Sequence, residues 1–188
     1  MAYNGTKVGL KMLHYALLVS DASDGATYGT PVEMVGAITA NINPNSSSGT
    51  LFADDGPMTT MAQLGMIEIE LNLADIPLSV QAILLGSDTP TGGVLLSKAT
   101  DVPPWIAIGF KSIKSNGSYR YVWLVKGKFR EPEDNSETKD DSVDFQTPTI
   151  VGQFVKRDYD EVWKKKADED EGYDDTGDLW FTDGPDAP

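Results

Sequence analysis

Trp105-Ile106-Ala107-Ile108-Gly109-Phe110-Lys111-Ser112-Ile113-Lys114, then Ser115-Asn116-Gly117-Ser118, then Tyr119-Arg120-Tyr121-Val122-Trp123-Leu124-Val125-Lys126-Gly127-Lys128-Phe129 is the stretch that decides the fold class. Ile106, Ile108 and Phe110 fall on one side of an extended chain. Tyr119, Tyr121, Trp123, Val125 and Phe129 fall on one side of the next, against Arg120, Val122, Leu124, Lys126 and Lys128. A two-residue period rich in aromatic and β-branched side chains is the signature of strands. Asn116-Gly117 suits the central positions of a type I′ turn, which need positive φ. The stretch is therefore expected to be a β-hairpin over about residues 105–129.

Outward from the hairpin, Ile67-Glu68-Ile69-Glu70-Leu71-Asn72-Leu73 alternates as a strand with one wet face. Val35 to Asn43 alternates more weakly through Ile38, Ala40 and Ile42. Val8 to Val19 reads as a strand in which Val8, Leu10, Met12 and His14 share a side. A further strand is expected near Val143 to Gln146, interrupted by Pro148, with extension resuming from Ile150 to Val155. One helix is expected: Asp75 as N-cap candidate, Pro77 early, then Val80, Ile83 and Leu84 on one face, and Gly86 as the stop. Asn43 to Gly49 reads as loop, Glu131 to Ser142 as a charged loop, and Lys164 to Pro188 as an acidic tail with one apolar island, Leu179-Trp180-Phe181.

The predicted fold is thus mainly β, a β-sandwich or partly closed barrel with one short flanking α-helix. Its 188 residues suffice for one domain with a core. Residues 1–157 form that domain and residues 158–188 an acidic C-terminal extension. The extension holds twelve acids against three lysines, so it supplies −9 of the formal net charge of −14. Such a surface repels phosphate and disfavours ordinary nucleic-acid binding. No signal peptide and no membrane-spanning run of about 18 apolar residues is visible.

The chemistry-bearing residues are sparse. There is no cysteine and one histidine, His14, which lies in an apolar run and is expected to be a packing residue. Gly92-Gly93 lacks the Lys-Ser/Thr of a phosphate loop. Asp54-Asp55 begins a turn more readily than it binds a cation. Asp168 to Asp175 misses the spacing of a calcium loop. The stripe Tyr119, Tyr121, Trp123 and Phe129 is read as core or interface in preference to a ligand platform. No base, nucleophile and stabiliser can be named together, so no enzyme activity, cofactor or metal is expected.

Several segments in order resemble a known family: Gly9-Leu10-Lys11, Leu51-Phe52-Ala53-Asp54-Asp55-Gly56, Trp105 to Ser112, Tyr119 to Leu124, Lys126-Gly127-Lys128-Phe129, Thr138-Lys139, Phe145 to Ile150, Gly152, Lys156-Arg157 and Trp180-Phe181. The ordered set, from about residue 5 to 181, resembles the major tail (tail tube) proteins of siphophages that infect Gram-positive bacteria. The resemblance implies a structural virion protein, made in the host cytoplasm and located in the phage tail. Six copies would form a ring, and stacked rings the tube through which DNA passes at ejection. The implied partners are the chain itself, a tape-measure protein, a tail terminator and a distal tail protein. Glu68 and Glu70 become candidates for the lumen, where negative charge would keep DNA from sticking. Glu131, Glu133, Asp134, Glu137, Lys139, Asp140 and Asp141 become candidates for a loop that docks on a neighbouring ring or subunit and orders on assembly. Leu179, Trp180 and Phe181 become candidate interface anchors. The competing readings are a β-sandwich that binds a carbohydrate or cell-surface ligand, and another tail or connector subunit.

Overall fold

The computed structural model describes residues 4–53, 55–134, 136–138, 145–175 and 178–186. Strands are β1 (Lys7–Ala22), β2 (Gly25–Tyr28), β3 (Val32–Met34), β4 (Ala37–Ala53), β5 (Gly56–Leu73), β6 (Ile106–Lys114), β7 (Tyr119–Phe129), β8 (Thr149–Phe154) and β9 (Lys164–Asp168). Helices are α1 (Leu78–Leu85) and the single turn α2 (Leu179–Thr182). The chain is mainly β. One antiparallel sheet runs β2-β1-β6-β7-β8-β5-β4, with β3 added to β1 and β9 to β7.

The hairpin expected at 105–129 is β6 and β7, paired from Ile113↔Tyr119 to Ile106↔Gly127. Its turn is not type I′, because Gly117 has a φ of 90° while Asn116 stays at negative φ. Gly117 N donates to Lys114 O at 3.0 Å and Lys114 N to Ser118 O at 2.9 Å. This is a three-residue loop closed by a left-handed glycine. The Asn116 side chain accepts from Ser118 N at 3.2 Å and so stabilises the loop without leaving negative φ.

Two bulges re-aim the strands. Ile106↔Gly127 and Ile108↔Leu124 leave β7 one residue longer than β6. The extra residue turns Phe129 away from Tyr121 and Trp123. Phe129 packs edge-on against Phe154 at 6.0 Å, inside the main core. In β1, Lys11↔Lys111 and His14↔Gly109 enclose a second bulge, at Met12 with φ 51°. Leu10, Leu13 and Tyr15 therefore reach the main core, while His14 and Ala16 go to the opposite face.

The main core joins Ile67, Ile69, Leu71 and Leu73 of β5 with Ile106, Ile108, Leu124, Ile150 and Phe154. Helix α1 covers it through Ala82, Leu84 and Leu85. Ile83, expected inside, is 38% exposed. Pro77, not Asp75, holds the cap position. No side chain caps the helix, and Pro77 O accepts from Val80 N and Gln81 N. Gly86 ends the helix in the left-handed conformation, as expected.

Asn43 to Gly49, expected as loop, lies in β4. Pairing with β5 satisfies its backbone, which matters more to a strand than residue propensity. Pro44, which cannot donate, sits at a register shift between Pro44 and Ser46. Phe145 and Gln146 are outside any strand, and β8 begins only after Pro148. Val143 and Asp144 lie outside the described residues.

The acidic C-terminal stretch, expected as a solvated tail, extends the same sheet through β9 and then crosses its second face. Its acids have partners there. Asp168 accepts from Lys114, and from Arg120 Nε at 2.6 Å. Asp170 accepts from Lys114 Nζ at 2.7 Å. Glu169 takes Tyr119 N and the Tyr121 hydroxyl, each at 2.7 Å. Buried Arg157 holds Asp186 at 2.9 Å, with the Tyr28 hydroxyl at 3.3 Å.

Candidate assembly surfaces

The two faces of the sheet end differently. On the side of β1, β6 and β7, Ala16, Ala107, Tyr121 and Trp123 are covered by Trp180 and Phe181. Gly109 is paired with Trp123 in register, and a Cβ there would meet the indole at 2.5 Å, so a glycine is needed for the ring to lie there. The Trp123 indole N–H donates to Trp180 O at 3.0 Å. The His14 ring stacks on Phe181 at 4.3 Å with its Nδ1 3.0 Å from Met12 O, so the histidine packs as the sequence suggested. Tyr121 and Trp123 are core, as expected, and present no ligand platform. Trp180 and Phe181 are buried within their own chain and leave only Leu179 exposed, at 43%. Of the three candidate interface anchors, Trp180 and Phe181 thus have the sheet's own aromatic face as partner and Leu179 is left at the surface.

The electrostatics explain why so acidic a segment docks. Burial acts to raise the Asp168 carboxyl, yet the hydrogen bonds from Lys114 and Arg120 outweigh it and hold the group below the usual carboxylate range. Lys114 and then Ser118 hold Asp170 at about 2. Lys126 ties Asp21 at 2.7 Å to Asp158 at 2.8 Å, under the Trp105 ring. That bridge fixes the end of β1 to the turn after β8.

On the side of β8, β5 and β4 the outer face is wet. Register places Asn43, Glu68 and Gln153 side by side, and Asn41, Glu70 and Val151 beside them. Glu68 is half-buried and Glu70 exposed. The structure thus brings both predicted lumen residues onto one polar sheet face, with β4 at its edge.

Beyond that face β4 and β5 leave the body. From Ser46↔Leu64 to Ala53↔Gly56 they pair, among the described residues, only with each other. Leu64 lies on the same face as Thr60, and Met61 and Leu51 on the other. Phe52, Met58 and Met61 are at least 70% exposed, and Leu51 is 62% exposed. Asp55, at the tip, has a φ of 62°. Asp54 lies outside the described residues. The sequence reading missed this arm. Its two strands have no buried face, so no alternation marks them.

Two clefts of opposite charge lie near opposite ends of β7. One, of about 720 Å³, is lined by Lys7, Arg120, Lys164 and Lys166 over Phe110 and Val122. The other, of about 1140 Å³, is lined by Glu70, Asp75, Glu131, Glu133, Asp134 and Glu137, with Arg130. Glu131 accepts from Gln81 Nε2 at 3.3 Å, and the Glu137 backbone pairs with the Gln146 side chain at 3.1 and 3.0 Å. Lys139, Asp140 and Asp141, the rest of the predicted loop, lie outside the described residues. Among the described residues no His, Cys, Asp and Glu grouping has the form of a metal site, and no helix is long and apolar enough to cross a membrane. The chain matches no protein-family model and no curated protein sequence.

Proposed function

We propose that the chain is a structural subunit that self-assembles into stacked hexameric rings, the tail tube of a long-tailed phage and its conduit for DNA. The observation that carries this reading is the β4/β5 arm. A two-stranded ribbon is marginal alone in water, and apolar side chains on both of its faces call for cover from both sides. In a ring or tube, neighbouring copies supply that cover. Among the described residues the outer edge of β4 pairs with no other strand, which favours the same reading. Joining sheets between copies removes such edges. The wet face bearing Glu68 and Glu70 then suits the lumen, where carboxylates repel DNA phosphate. The ordered resemblance to siphophage major tail proteins supports the same assignment.

Negative-stain microscopy of the concentrated protein tests this. Rings or tubes of uniform width are expected. Protein that stays monomeric at every concentration, or that forms only closed dimers, would contradict the reading.

A further inference from the structure

We propose that the basic cleft of one copy receives the acidic edge formed by Glu131, Glu133, Asp134 and Glu137 of a second copy, in a head-to-tail contact. This rests on the self-assembly reading and names the surfaces that join.

The cleft is anomalous for this chain. The formal net charge is −14, yet among the described residues four cations from three strands converge on it and no acidic side chain lines it. Arg120 is paired with Asp168. Lys7 and Lys166 have no ion pair among the described residues, and neither does Lys164, whose ammonium sits over the Trp163 ring at 3.9 Å. Burial first, and then the charge of Lys166, hold the Lys164 ammonium below its usual pKa. Like charges held together in a half-buried groove lack a counter-charge that an anionic partner would bring.

The acidic cleft is the mirror case. Among the described residues six carboxylates face one guanidinium, and Glu133 and Asp134 form no ion pair. The two clefts cannot satisfy each other within one chain. Arg120 is the second residue of β7 and Arg130 follows its end, ten residues on, a span of about 33 Å in an extended strand. Complementary patches at opposite ends of one molecule make a heterologous contact, which repeats from copy to copy without a two-fold axis. The arm supports this polarity. β5 runs in the same direction as β7, so the arm leaves the body toward the end that carries the basic cleft, whose wall includes Pro44.

Charge reversal tests the contact. Lys164→Glu/Lys166→Glu and Glu133→Lys/Asp134→Lys are made separately, mixed one to one, and combined in a single four-site chain. Circular dichroism and thermal melting confirm folding, since all four side chains sit at the surface or on an edge strand. Sedimentation reads assembly of any form. Each reversed variant alone should need at least about ten-fold more protein to assemble. The mixture and the four-site chain should recover assembly at the parental concentration, because each then presents opposite charges at the contact. If both reversed variants assemble like the parent, or if neither combination recovers, the contact is wrong. Tubes from the parent and from both reversed variants would overturn the contact and leave the tail-tube reading intact. Charge-dependent oligomers that are not tubes would do the reverse. An oligonucleotide that binds the parent and not Lys164→Glu/Lys166→Glu, with self-association unchanged, would assign the cleft to nucleic acid and overturn the proposal.

Discussion

One strand, β5, contributes a row of fully buried side chains at one end and, paired with β4, the most exposed apolar ones at the other. At its base, Ile67, Ile69, Leu71 and Leu73 are each at most 1% exposed, and Glu68 and Glu70 alternate with them toward solvent. In the arm, Met58, Met61 and Leu64 are 70%, 74% and 42% exposed. The hydrogen-bond ladder is continuous in kind across both regions, so the backbone does not distinguish them. What differs is whether anything covers the side chains. The base is stabilised within the chain, whereas the arm carries apolar surface that the described residues leave uncovered.

The largest expected effects belong to the base. Leu71→Ala should destabilise the monomer by about 2–5 kcal/mol, because it leaves a cavity in a fully buried site. Urea unfolding measures this, and a loss below about 1 kcal/mol would mean that the base is not the folding core. Trp180→Ala should weaken the C-terminal cap by about 3 kcal/mol at most, since the sheet beneath it keeps its own main core. Its signature is increased solvent quenching of the Trp123 fluorescence.

A third prediction concerns pH. Asp168 and Asp170 are held below the usual carboxylate range when folded, so their stabilisation of the cap is fully present above their unfolded value, about 3.9. It should be lost as pH falls through the folded values, toward about 2 for Asp170. Tryptophan emission should therefore be constant from neutral pH to about pH 4 and shift between there and pH 2. A transition centred above pH 5 would point to other groups.

The smallest stability effect is expected in the arm. Met58→Ser/Met61→Ser should leave monomer unfolding within about 0.5 kcal/mol of the parent, since neither side chain is buried. The same change should suppress assembly. A variant that unfolds much more easily would show that the arm packs within its own chain.

What the sequence made legible follows from these differences. The base of β5 could be read because one face of it is buried, and burial on one face imposes alternation. β6 and β7 are buried on both faces and were legible through their aromatic and β-branched residues and the Asn116-Gly117 turn between them. The bulges at Met12 and in β7 could not be read, since one extra residue leaves the local pattern plausible and only shifts its phase. Tyr121 and Phe129 look equivalent in the sequence but face opposite sides of the sheet. The arm was hidden for the converse reason. Its Asn, Ser and Pro residues suggest loop, and pairing with β5 needs no side-chain pattern. The C-terminal segment was obscured by its charge, because composition does not show that Asp168, Asp170 and Glu169 accept bonds from Lys114, Arg120 and Tyr121. The charged clefts draw on strands far apart in the chain, so no local signal could have assembled them.

The most direct test of the central claim replaces residues 46–64 by a two-residue turn that joins β4 to β5 at the edge of the body. The shortened protein is expected to keep the parental far-ultraviolet spectrum and melting cooperativity, and to sediment as a monomer where the parent forms rings or tubes. A shortened protein that still assembles at the parental concentration would contradict the account.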